Sequence, residues 1–210
     1  ADRLAHRRVW LDLRTRYEKN PSLVFRGIGQ PAAAAPGATD LGPREAEAFT
    51  RYSQRRFLYA ARGGYVAGEP GREFRPGVEL VYNNRQFGGR GRGTGRSIEQ
   101  VYDPTRIPGF EETLDLVQIN AVATVDFRDA PGNPSRGFFL TALGGGAPPQ
   151  AGFGFGHYAA ELTGFIDLFK ETRILVLRLG LEAMHGADDQ IPFSELAQLG
   201  GPYRLRGYHL

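Results

Sequence analysis

The charged side chains that could do chemistry in this 210-residue chain gather in three places. Asp126, Arg128 and Asp129 crowd one short stretch and could serve as two acids with an electrostatic partner. A hydrolase would also need a nucleophile and a pocket, so a structural salt-bridge cluster is the better reading. Asp188 and Asp189 could meet a hard cation, yet no glycine-punctuated series of oxygen ligands surrounds them, and a solvated loop accounts for them better. Arg206 is the third, in the closing stretch IPFSELAQLGGPYRLRGYHL. Gly200 and Gly201 allow a sharp turn at positive φ, Pro202 stiffens the exit, and Arg204 and Arg206 alternate with Tyr203, Leu205 and Tyr208. An arginine bounded by Gly207 and flanked by Tyr208 suits insertion into a polar cavity, where a fixed carboxylate accepts its two-pronged guanidinium. Taken alone, Arg206-Gly207-Tyr208 also reads as a solvated turn.

Other chemistry is not signalled. The histidines (His6, His157, His185 and His209) lack metal-like spacing, and the sequence holds no Gly-x-Ser-x-Gly elbow, His-Glu-x-x-His pair or phosphate-binding loop. Neither an enzyme nor a cofactor or metal is expected.

The elements that must position these residues alternate in the two-residue period of strands. Over 4–17, Val9, Leu11, Leu13 and Tyr17 share one face and Arg8, Asp12, Arg14 and Arg16 the other. Residues 18–22 (EKNPS) predict a tight turn and 23–29 a short strand. The Ala-, Pro- and Gly-rich run 30–44 predicts a long loop. Over 45–66, Phe57, Tyr59, Ala61 and Tyr65 oppose Arg56, Leu58, Ala60 and Arg62, and 68–72 turns the chain. Over 73–87, Val78, Leu80 and Tyr82 oppose Glu79, Asn83 and Arg85. The tract 88–96 (GGRGRGTGR) predicts a long cationic loop, able to touch anionic headgroups, that continues past Asp103-Pro104 and Pro108-Gly109. The clearest strand is 113–128, with Val117, Ile119, Ala121, Ala123, Val125 and Phe127 against Gln118, Asn120, Thr124, Asp126 and Arg128. Strands are also predicted over 138–143, 153–167 and 173–185. The last carries Leu175, Leu177, Leu179 and Leu181 opposite Arg178 and Glu182.

About eight strands result, joined alternately by short turns (near 18, 68, 130 and 168) and long loops (near 35, 100, 148 and 190). Alternation alone does not separate a soluble sandwich from a membrane barrel. Sorted connections with one apolar and one polar face fit a transmembrane barrel, in which short turns lie on one side of the membrane and long loops on the other. Composition agrees: 29 glycines, nine tyrosines and 14 phenylalanines suit many short aromatic strands. No apolar run is long enough for a membrane helix. The net charge of +3 is spread through strand-like segments instead of one basic arm, so no nucleic acid is expected. The absence of cysteine excludes disulfides.

Three stretches carry a family resemblance. The run PFxxLxxLGGxxxLRGY, within 192–208, resembles the signature loop of the bacterial surface antigen barrels, the outer-membrane assembly factors of the BamA and TamA type. VDFRDAPGNPSRGFFL (125–140) is similar to that family's strand–turn–strand pattern DxRDxxxNPxxG, through Asp126, Arg128, Asp129, Asn133, Pro134 and Gly137. FRGIG (25–29) resembles a glycine-rich strand end near the start of those barrels. The resemblance implies an all-β, antiparallel transmembrane β-barrel in the bacterial outer membrane. The chain would be an excerpt, a single partial barrel domain over 1–210: an internal block of about eight of sixteen strands, ending in the loop that enters the lumen. Gly200, Gly201, Leu205, Arg206, Gly207 and Tyr208 would form that loop, and Arg178 and Glu182 would face the lumen. The carboxylate meeting Arg206 would lie beyond Leu210, with Asp126 and Glu182 as second choices.

The implied work is inserting outer-membrane proteins or passing polypeptide across the membrane. Its partners would be membrane lipid, unfolded clients and accessory assembly proteins. Two alternatives stay open: a secretion pore of the two-partner type, or an anchor barrel of an enzyme-bearing protein; and a soluble basic β-protein binding RNA through 88–96.

Overall fold

A computed structural model describes residues 2–4, 8–25, 50–69, 71–89 and 96–196. Ten strands form one sheet: β1 (Asp2–Leu4), β2 (Val9–Phe25), β3 (Thr50–Tyr65), β4 (Ala67–Glu69), β5 (Arg72–Gly88), β6 (Arg96–Ser97), β7 (Leu114–Asp126), β8 (Gly137–Gln150), β9 (Phe153–Phe169) and β10 (Arg173–His185). The main path runs β1-β2-β3-β5-β7-β8-β9-β10, eight strands in chain order, while β4 pairs with β5 and β6 with β3. Short 3-10 turns at Ile98–Gln100, Pro104–Arg106 and Phe193–Glu195 are the remaining regular elements among the described residues. The protein is therefore all-β and antiparallel along its main path, as expected from the two-residue period.

By packing, the chain divides into two compact units. One comprises Ala1–Arg14, Tyr59–Tyr82 and Val117–Gly186; the other comprises Thr15–Leu58, Asn83–Leu116 and Ala187–Leu210.

Register shows why the faces differ. Ile119 pairs with Gly146, Val125 with Leu140, Leu140 with Leu162 and Leu162 with Leu179, so one face carries apolar rows across β7 to β10. The opposite face sets Thr124 against Thr141 and Thr141 against Glu161. Burial is inverted relative to a water-soluble sheet. Leu13 and Leu179 are each 70% exposed, whereas Glu79 is 4%, Asn120 2% and Asn83 1% exposed. Soluble folds place such residues the other way round.

Three expectations are corrected. The turn expected at 18–22 lies inside β2, which runs unbroken from Val9 to Phe25. Proline is tolerated there because, among the described residues, β1 covers β2 only from Val9 to Leu11 and nothing pairs with Pro21 on that side. The long loop expected near 148 is strand: β8 continues to Gln150, and two residues, Ala151 and Gly152, join it to β9. Glycine is needed there for closeness, since a Cβ on Gly145 would lie 2.1 Å from the Ile119 carbonyl oxygen. The expected alternation of short turns and long loops therefore fails at two of its points, near 18 and near 148. Finally, the loop expected to continue beyond Arg96 is packed. Ile98, Ile107 and Phe110 are buried with Phe25 and Phe193, and Tyr52, Phe87, Tyr102 and Leu196 pack around them. Residues 26–49 and 90–95, with most of the expected loops they carry, lie outside the described residues.

Gly137 opens β8 at φ 103°, where a Cβ would sit 2.0 Å from the Phe127 carbonyl oxygen. Gly137→Ala is expected to destabilise the fold by about 1 kcal/mol or more. Gly132→Ala, with open space around it, should change stability little. Urea unfolding of the two variants beside the parent checks the contrast.

Candidate functional site

A polar row on a buried sheet face must pair within itself, because an unpaired group away from water costs about 1–3 kcal/mol. The first unit meets most of this demand across three strands, with Asn120 Oδ1 the exception in the network. Glu79 on β5 accepts from the Arg62 guanidinium on β3 and, at 3.0 Å, from Nδ2 of Asn120 on β7. Gly145 on β8 leaves room for the Asn120 amide, whose Oδ1 lies 2.7 Å from where a Cβ would stand. Further along β5, Arg75 Nε donates to Glu73 at 2.8 Å.

The expected turn motif lies in the same unit. Arg128 grips Asp126 with two parallel hydrogen bonds, Nε to Oδ1 at 2.8 Å and Nη2 to Oδ2 at 2.7 Å, and lies 4.5 Å over the Phe139 ring. Asp129 closes the turn: its Oδ1 accepts from the backbone N–H of Ala130 (2.9 Å) and Ser135 (3.0 Å), and its own N–H donates to the Arg136 carbonyl (3.1 Å). Asn133 N–H donates to the Ala130 carbonyl at 3.2 Å, Pro134 follows in the turn, and Gly137 receives the chain. Each motif residue thus sits within one ion pair or one hydrogen-bonded turn.

The residues expected to face a polar interior on β10 have different partners. Glu182 Oε1 lies 3.1 Å from His157 Nε2, and Arg178 pairs with Glu161. Gly200, Gly201, Leu205, Arg206, Gly207 and Tyr208 lie outside the described residues.

The second unit holds a site that strand periodicity did not reveal: the root of that closing stretch. Glu195 Oε1 accepts from Arg85 Nη2 at 2.7 Å and from Asn83 Nδ2 at 3.0 Å, while Arg85 Nη1 donates to the Ser194 carbonyl at 3.0 Å. Asn83 Oδ1 accepts from Arg56 Nε at 3.0 Å, and Arg56 lies 3.9 Å from Glu18. Beside this network, the ring of Phe193 packs 4.8 Å from Phe87, 5.6 Å from Tyr52 and 5.8 Å from Phe25, centre to centre. Its N–H donates to the Pro108 carbonyl at 3.0 Å. The segment leading to the expected functional loop is thereby held at two points, by an aromatic cage and by an ion pair whose side chains are each 11% exposed. A lone charge between Ile191 and Gly200 was the available signal.

Two outcomes are expected. Removing Glu195 leaves Arg85 buried without its partner, and breaking a buried pair in this way costs about 3–5 kcal/mol. Glu195→Ala should therefore speed amide exchange over 191–196 more than Leu196→Ala does. The Asp129 carboxyl is held below the usual range, first by the backbone N–H of Arg136 and then by those of Ser135 and Ala130. Its contribution to turn stability is full above the unfolded value near pH 4 and is lost as pH falls through the lower folded value. Asp129→Asn should flatten that acid limb in unfolding titrations.

Comparison with known proteins adds one match. A family model described as the Omp85 superfamily domain covers residues 78–210. No curated protein and no solved structure matches the chain.

Proposed function

The chain belongs to the Omp85 superfamily, and we propose that within it the protein acts as an outer-membrane assembly factor, inserting other β-barrels into the membrane that holds it. The superfamily comprises outer-membrane β-barrels that insert or translocate polypeptides and are not enzymes.

The observation that carries the finer reading is the inverted burial, with leucines outward and an ion-paired, carboxylate- and arginine-rich face inward. Such a body suits a membrane barrel with a polar interior. Incoming chains would add strands by main-chain hydrogen bonding, and their own folding into the bilayer would supply the driving force without a nucleotide. Arg206, with Gly200, Gly201, Leu205, Gly207 and Tyr208, would form the loop that enters the interior, and the Phe193 cage with the Arg85–Glu195 pair would hold its root. Partners on this reading are outer-membrane lipid, unfolded client polypeptides and accessory assembly proteins.

Replacing the gene with one encoding Arg206→Ala in the full protein tests the proposal. Steady-state levels of several unrelated outer-membrane barrels should fall several-fold, while a reporter for the inner membrane stays constant. Unchanged barrel levels, with one exported protein trapped in the periplasm, would instead identify a two-partner secretion pore.

A further inference from the structure

Among the outward-facing residues of the second unit, two like charges meet. The ring of Tyr17 on β2 packs 4.6 Å from that of Phe57 on β3, and Glu18 pairs with Arg56 one step along. Extending the antiparallel step of these two contacts by one residue puts Lys19 opposite Arg55. Both are exposed, and among the described residues neither has a hydrogen-bonded or ion-paired partner. Like charges directly opposed on adjacent strands are destabilising. On the same side of β3, Arg51 adds a third cation, its guanidinium donating to Ser22 Oγ at 3.0 Å. The Glu18–Arg56 pair belongs to the opposite face and so does not neutralise the three.

The position is chemically specific. Beneath the cations lies the Tyr17–Phe57 pair, 56% and 44% exposed. An aromatic pair followed by cations is the sequence met where hydrocarbon gives way to headgroups. This end of β2 and β3 carries the connection 26–49 and is also reached by the connection between β5 and β7, the long-loop end that outer-membrane barrels direct outward.

We propose that Lys19, Arg55 and Arg51 bind the phosphate of a lipid in the outer leaflet. An anion seated between Lys19 and Arg55 turns their repulsion into two charge-assisted interactions. The proposal rests on the membrane reading given above, because it needs the apolar face to lie in lipid.

Thermal unfolding of the full-length protein in zwitterionic detergent tests it, using the parent, the double variant Lys19→Gln/Arg55→Gln and the conservative Lys19→Arg. Each is measured alone and with bisphosphorylated lipid A, phosphatidylcholine or inorganic phosphate. Lipid A should raise the parent's Tm by several degrees and phosphatidylcholine should not. The double variant should lose most of that shift, and Lys19→Arg should keep it. Without lipid, the double variant should unfold no earlier than the parent, since its opposed charges are gone. Equal lipid A shifts in parent and double variant would overturn the site. So would an equal shift from inorganic phosphate, which would make the ligand a free anion, or early unfolding of the lipid-free double variant. Partition into phosphatidylcholine vesicles separates the two levels of the argument. A protein that enters them without any preference for phosphorylated lipid sinks this site alone, and one that enters no bilayer sinks the membrane reading as well.

Discussion

The constraint on which the structure depends is that one face of the sheet is polar and yet screened from water. A group such as Glu79, nearly fully buried, persists there only because Arg62 and Asn120 reach it from the neighbouring strands. The same rule runs through the second unit, where Arg56, Asn83, Arg85 and Glu195 share donors and acceptors. Removing water strengthens each bond and penalises each omission, so such networks specify which strands lie side by side. The apolar face carries no such instruction, since leucine against lipid is indifferent to its neighbour.

Much of this was legible in the residues. β5 and β7 declare themselves by a period of two, and the split between Val78, Leu80, Tyr82 and Glu79, Asn83, Arg85 is the split in the structure. Turn chemistry was less reliable. Asn20-Pro21-Ser22 and Asn133-Pro134-Ser135 are the same tripeptide, yet the first lies inside a strand and the second in a turn. Local preference could not separate them, because the difference lies in what stands beside each chain. The stretch near 148, expected to loop, is strand for a related reason: glycine signals a loop when it supplies freedom and a strand when it supplies room, as Gly145 does.

The packed loop and the Glu195 site were hidden more deeply. Ile98, Ile107 and Phe110 follow no period, so nothing in their spacing announces a core; they meet only because the chain between β6 and β7 folds back on itself. Glu195 is one carboxylate among many until Arg85, more than a hundred residues earlier, is seen beside it. The turn motif of 126–137 was the opposite case. Its charges, its cap and its positive-φ glycine are close in sequence, so local reading captured the pattern and the structure supplied its partners.

The two-point hold on Phe193 and Glu195 has a kinetic meaning. Nine residues lie between Leu196 and Arg206, a ten-step tether that can span at most about 35 Å when fully extended. Any receptor for that guanidinium within this radius meets it at an effective concentration on the order of millimolar. A single ion pair too weak to form between separate molecules would then be well populated, and losing the anchor would dilute it without touching either partner.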